Sequence, residues 1–168
     1  LPHRGSNQNM PTPSIHNGHV FVGGENRGTR SLHPHIKEGK WVVTEKWHQK
    51  RASLDMSTAV INNGQLYGMT HQGLGRLFCI DTESGNIIWQ GPGRVGQNVA
   101  FLSIPGHLVA LLDNGQLQII EAKGAESRKV VEYKVADRST WAAPVLLKDG
   151  ILIKDRQELI RWSFTKTK

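Results

Sequence analysis

The 168-residue chain has a single cysteine, Cys79, so no disulfide can form within it. Cys79 falls in an apolar run, where a buried, inert thiol is expected. No apolar run approaches the roughly 20 residues needed for a membrane-spanning helix, and no signal-peptide pattern opens the chain. Because the sequence starts at Leu1, it is expected to be a processed form or a piece of a longer protein. Acidic residues are scarce, 14 against 21 Lys and Arg, which leaves a formal charge of +7. The surplus is scattered, with local concentrations at 46–51 and 128–134, so solvated turns are expected and nucleic acid is not an expected partner. Gly91-Pro92-Gly93-Arg94-Val95-Gly96 lacks the Gly-Lys-Ser/Thr of a phosphate loop and reads as a linker. No Ser-His-Asp or Cys-His arrangement carries a local signature.

What the chain does have is glycine, 18 residues of it, set between short apolar runs. Asn17-Gly18, Asn63-Gly64, Pro105-Gly106 and Asp149-Gly150 each separate two such runs, as hairpin turns do. Their glycines are 46, 42 and 44 residues apart. A second set, Gly28, Gly75 and Gly115, is spaced by 47 and 40. The aromatics Trp47, Trp89 and Tyr133, at the ends of fourth runs, are spaced by 42 and 44. Three landmarks share one period, and four short strands per period is the blade of a β-propeller. The sequence therefore predicts an all-β chain of four-stranded antiparallel blades. Three are complete and the last has three strands, within a ring expected to be larger than this chain. The boundaries are a lead-in at 1–9 and blades at about 10–50, 51–94, 95–138 and 139–168. Residues Pro34–Gly39 and Lys123–Arg128 are expected as loops.

The best-preserved turn is Leu77-Phe78-Cys79-Ile80-Asp81-Thr82-Glu83-Ser84-Gly85-Asn86-Ile87-Ile88-Trp89. Asp81-Thr82-Glu83-Ser84-Gly85-Asn86-Ile87-Ile88-Trp89 resembles the D-x-x-[ST]-G-x-x-x-W tryptophan-docking repeat of PQQ-like β-propellers. Pro13…Asn17-Gly18…Val20-Phe21-Val22 and Pro144…Asp149-Gly150-Ile151-Leu152-Ile153 are similar to that family's P-V-x-x-D-G-x-[LV]-[YF]-V opening. The likeness runs from about Met10 to Phe164, although only the second unit matches the docking motif well. It implies Asp81, Gly85 and Trp89 as structural residues. It also implies one of two functions. The first is that of quinoprotein dehydrogenases, which hold pyrroloquinoline quinone and calcium. The second is that of non-catalytic propellers such as the outer-membrane assembly lipoproteins, which offer surfaces to proteins.

The residues favour the second. Asp55, Asp81, Asp113, Asp137, Asp149 and Asp155 all fall in or beside turns, where carboxylates cap backbone groups without catalysis. Eight histidines include one close pair, His33 and His35, with His48 and His71 at unknown distance. Zinc needs three or four converging ligands, so exposed loop histidines are expected and no metal site is assigned. No catalytic, cofactor-binding or metal-binding residue is assigned. The expected function is a protein-interaction scaffold outside the cytoplasm, with a fragment of a quinone-dependent dehydrogenase as the alternative. The expected partners are another protein and the rest of the ring, supplied by missing blades or a second chain. The basic run Glu45–Ala52 is the candidate contact patch, against the plainer reading of a solvated connector.

Overall fold

The computed structural model describes residues 10–164. The lead-in 1–9 and the last four residues of the chain lie outside the described residues. Fifteen strands form four antiparallel sheets joined in chain order, and among the described residues the sheets do not close into a ring. Sheet one is β1 (Ser14–His16), β2 (His19–Gly23), β3 (Thr29–Lys37) and β4 (Lys40–Gln49). Sheet two is β5 (Val60–Asn62), β6 (Gln65–Thr70), β7 (Arg76–Asp81) and β8 (Ile87–Gln90). Sheet three is β9 (Val99–Ile104), β10 (His107–Leu112), β11 (Gln116–Glu121) and β12 (Lys129–Lys134). Sheet four is β13 (Val145–Leu147), β14 (Gly150–Lys154) and β15 (Leu159–Ser163).

Alternation of side chains along the strands gives each inner sheet two apolar faces. Phe78, Ile80 and Leu66 of sheet two meet Phe21 of sheet one. The residues between them on the same strands, Tyr67, Met69, Leu77 and Cys79, together with Trp89 of β8, meet Leu108, Ala110 and Leu112 of sheet three. Val109, Leu111 and Leu117 of sheet three then meet Ile151 and Ile153 of sheet four. Each gap between successive sheets is thus filled by an apolar cluster. Burial pushes the Cys79 thiol up to about 12, so it stays protonated and inert as expected.

The turns follow the sequence closely at most places. Asn17-Gly18 and Asn63-Gly64 have positive φ at both residues, the turn that matches strand twist. Gly28, Gly75 and Gly115 recur for a second reason. A Cβ on each would meet a backbone oxygen, that of Gln49, Gly96 or Ala136 respectively. In all three sheets the chain leaving the fourth strand passes over this glycine.

Two expectations are corrected. Pro34–Gly39 is not a loop: β3 continues through Pro34 to Lys37, turns at Glu38-Gly39 and returns as β4. Beyond Leu32, β3 pairs only with β4, so Pro34 stands where one strand edge is open and its missing N–H leaves no gap in a ladder. In sheet four the turn residues are Lys148 and Asp149, and Gly150 opens β14 opposite Leu147. Gly150 is needed because a Cβ there would lie 2.2 Å from the Trp162 carbonyl oxygen.

Candidate functional site

Asp81 ends β7 and organises the turn after it. Its carboxylate accepts the Ser84 N–H and the Ser84 hydroxyl, each at 2.7 Å. These bonds, the backbone one first, hold the Asp81 pKa below the ordinary carboxylate value. Thr82 ties the turn to its own sheet, donating from Oγ1 to the Gly64 carbonyl at 2.7 Å. Gly85, at φ +73°, presents a bare backbone to sheet one. The Trp47 indole from the end of β4 lies on it, 2.6 Å from where a Cβ would stand. Trp47 Nε1–H donates to the Thr82 carbonyl at 2.9 Å, and Gln49 donates to the Gly85 carbonyl at 3.0 Å.

Trp89 and Tyr133 share the phase of Trp47, each facing the next sheet. Trp89 is only 8% exposed and packs against Tyr67, their ring centroids 6.0 Å apart. Tyr133 pairs with Leu117 on the face toward sheet four yet is 55% exposed. Trp162 reaches back across that gap, donating to the Val135 carbonyl at 2.9 Å.

The candidate contact run 45–52 is largely committed to structure. Besides Trp47 and Gln49, His48 shares a ring-nitrogen hydrogen bond with the Arg27 carbonyl at 2.9 Å, and Ala52 is buried. Lys46, Lys50 and Arg51 are exposed. The connector that follows joins three sheets, which sequence reasoning missed. Ser53 accepts the Gly28 N–H at 2.9 Å, and the buried Asp55 accepts from Asn26, Thr70 and His71. Ser57 donates to Asn98 at 2.8 Å. Leu54 wedges between Gly23 and Gly68, where Cβ atoms would lie 2.6 and 2.5 Å from it.

The other carboxylates are also occupied locally. Asp113 accepts the Gln97 N–H at 2.9 Å, and Asp149 pairs with Arg161 at 2.6 Å. Asp155 accepts the N–H groups of Glu158 and Gln157, which lower its pKa. Asp137 is exposed and lines an open recess of about 730 Å³ with Arg138, Asp155 and Glu158. The glycine-rich stretch 91–96 lies along the turn before β7, with Arg94 N–H on the Gly73 carbonyl at 2.9 Å.

The surface with the least internal partnership is the far half of the β3–β4 hairpin. Ile36 and Trp41 are cross-strand partners, 63% and 74% exposed, and Val42 and Val43 are exposed beside them. Lys37 and Lys40 face each other at the turn. The continuous strand also moves His35 out of the expected Pro34–Gly39 loop and onto the same strand as His33. Their partner is His19, not His48 or His71. His71 bonds instead to the Gln97 carbonyl at 3.0 Å. The signal for this was the i, i+2 spacing of His33 and His35, once Pro34 is allowed within a strand.

No family model and no curated protein matches this sequence. Solved structures do. BamB from Moraxella catarrhalis is similar at 10% identity and a TM-score of 0.55, over 96% of this chain and 59% of that one. This chain thus spans less than two thirds of BamB. The computationally designed Ika4 protein is similar at 7% identity and a TM-score of 0.59, over 91% of this chain and 89% of that one. A chain of the S. cerevisiae complex of Dbp5 with Nup159, Gle1, IP6 and ADP is similar at 14% identity and a TM-score of 0.57, over 84% of this chain and 37% of that one. At these identities the likeness is one of fold: four blades of the β-propeller type, stacked in series. Among the described residues no helix is long and apolar enough to cross a membrane.

Proposed function

We propose that the chain is a segment of a non-catalytic PQQ-like β-propeller and serves as a protein-interaction scaffold outside the cytoplasm. The observation that carries the reading is the β3–β4 hairpin, which holds Ile36, Trp41 and Val43 in solvent on a rigid ladder. Burying apolar surface favours association, and tryptophans are frequent anchors in protein interfaces. Asp55, Asp81, Asp113 and Asp155, in contrast, accept backbone N–H groups in turns and connectors. The resemblance of 81–89 to the docking repeat and the likeness to BamB support the family. The compartment rests on that resemblance alone.

The outer faces of the first and last sheets fit the same reading. Ile15 of sheet one, and Val145 and Leu159 of sheet four, are exposed on faces that inner sheets bury. Further sheets of a longer chain, or a second copy, would cover them. Affinity capture from an envelope fraction tests the scaffold role, using the full-length protein and a form carrying Ile36→Ser, Trp41→Ser and Val43→Ser. The wild type should retain a defined partner that the triple variant loses while keeping its melting temperature. Equal retention by both, or quinone-dependent dye reduction by the full-length protein, would overturn the reading.

A further inference from the structure

The third strands β7, β11 and β15 match position by position. The same bond follows each of them. Thr82 N–H donates to the Gly64 carbonyl at 3.0 Å, Ala122 N–H to Gly106 at 3.0 Å and Phe164 N–H to Asp149 at 2.8 Å. One residue earlier, Asp81, Glu121 and Ser163 therefore hold one position. Asp81 N–H donates to the Asn86 carbonyl at 2.9 Å, and Glu121 N–H to the Arg128 carbonyl at 3.0 Å. Both acceptors stand just before a fourth strand, β8 or β12. Among the described residues β15 pairs with β14 alone, so its other edge is open.

The phase of the β14–β15 ladder tells which groups that edge presents. Asp155 N–H donates to the Glu158 carbonyl, and Phe164 N–H to the Asp149 carbonyl, so bonded pairs fall at these two ends. Bonding alternates along an antiparallel pair. Leu159, Arg161 and Ser163 therefore point their N–H and C=O groups away from β14. Beside this edge lies the open recess of about 730 Å³, walled in part by Val135, Ile160 and Trp162. In sheet two Ile80 stands where Trp162 does, and its partner Ile87 on β8 packs into the cluster with Phe21. The other side of the edge is basic. Arg161 and Lys154 are exposed there, with Lys148 and Arg156 in the flanking turns, against Asp149 and Glu158.

We infer that the free edge of β15 is a docking site for an extended segment of a protein partner, added antiparallel as a fourth strand. The segment carries an apolar residue toward the recess and an acidic residue on the side of Arg161 and Lys154. Main-chain bonds give the affinity of such strand addition, and alternate side chains give its specificity. The seat needs no rearrangement, because β4, β8 and β12 already occupy it in the other three sheets. The class of partner rests on the scaffold reading. The site itself is on sheet four, apart from the β3–β4 hairpin of sheet one.

The test is amide exchange by NMR on the full chain, titrated with peptides of residues 83–91, the segment seated on β7. One peptide carries Trp89→Glu and the other Trp89→Lys. The pairing of Cys79 with Trp89 places this residue opposite Arg161. The Glu peptide should protect the Leu159, Arg161 and Ser163 amides and shift the Trp162 indole signal. It should bind about fivefold more tightly than the Lys peptide, the scale of a cross-strand charge pair. Arg161→Pro removes an outward N–H and leaves the β14 ladder intact, as Pro34 does on β3, and should lose binding. Arg161→Ala keeps the N–H and should bind both peptides, with their difference reduced. The wild-type exchange pattern decides the site even where the proline variant does not fold. Protection of the three amides before any peptide is added would overturn the proposal, because the chain or a second copy would then fill the edge. Absence of protection by the Glu peptide, or equal binding by Arg161→Pro, would overturn it too. Failure here leaves the capture experiment, which alters sheet one alone, free to succeed.

Discussion

Trp47 and Trp41 lie on the same strand, three residues either side of Thr44, and meet opposite fates. Trp47 is inside the repeat: its indole covers Gly85 of the next sheet and donates to the Thr82 carbonyl. Trp41 is 74% exposed, opposite an equally unsupported Ile36. The difference shows that tryptophan content says little until position in the period is known. Trp47 and Trp89, 42 residues apart, each face a neighbouring sheet, and Trp41, outside that spacing, faces solvent. Even phase is insufficient without a receiving turn. Trp47 has the Asp81–Gly85 turn to land on, whereas Tyr133 meets a three-stranded sheet and stays exposed.

That contrast can be broken in several ways. The largest effect is expected at Trp89, where Trp89→Ala should cost about 3–5 kcal/mol in urea denaturation, as for other buried large-to-small changes. A loss below 1 kcal/mol, on the scale of a surface substitution, would mean the second gap is not packed as described. Gly85→Ala should cost about 1–3 kcal/mol from its positive φ, plus the displacement of the Trp47 ring. Gly39→Ala shares the positive φ but has open space around it, so it should cost less. Equal losses at the two glycines would remove the indole from the explanation.

A smaller effect concerns acid. The Asp81 pKa is lowered in the folded state, so its contribution is complete above the ordinary carboxylate pKa of about 3.9 and is lost as pH falls through the folded value. Asp81→Asn should therefore flatten the fall of melting temperature below pH 4, that ordinary carboxylate range, while lowering stability slightly at neutral pH. A parallel acid limb in both proteins would show that the Ser84 bonds do not favour the charged form.

Much of the fold was legible because its signals are local. Asn17-Gly18 and Asn63-Gly64 carry their turn type in two residues, and the recurrence of Gly28, Gly75 and Gly115 reports a close backbone crossing that only glycine allows. What was missed is long-range. Pro34 reads as a breaker, and its tolerance follows only from the open edge of β3 beyond Leu32. With Pro34 misread, Glu38-Gly39 did not register as a hairpin turn, and neither the exposed Trp41 face nor the histidine row could be seen. The buried Asp55 looked like any turn carboxylate, because its partners Asn26, Thr70 and His71 come from two different sheets.

The central claim is that the near half of β4 holds the sheets together while the far half is free for a partner. Urea denaturation of Trp47→Ala and Trp41→Ala side by side tests it most directly. Trp47→Ala should lose about 3–5 kcal/mol, and Trp41→Ala should stay within about 0.5 kcal/mol of the wild type. A Trp41→Ala loss as large as that of Trp47→Ala would contradict the account, because it would place the hairpin inside the fold.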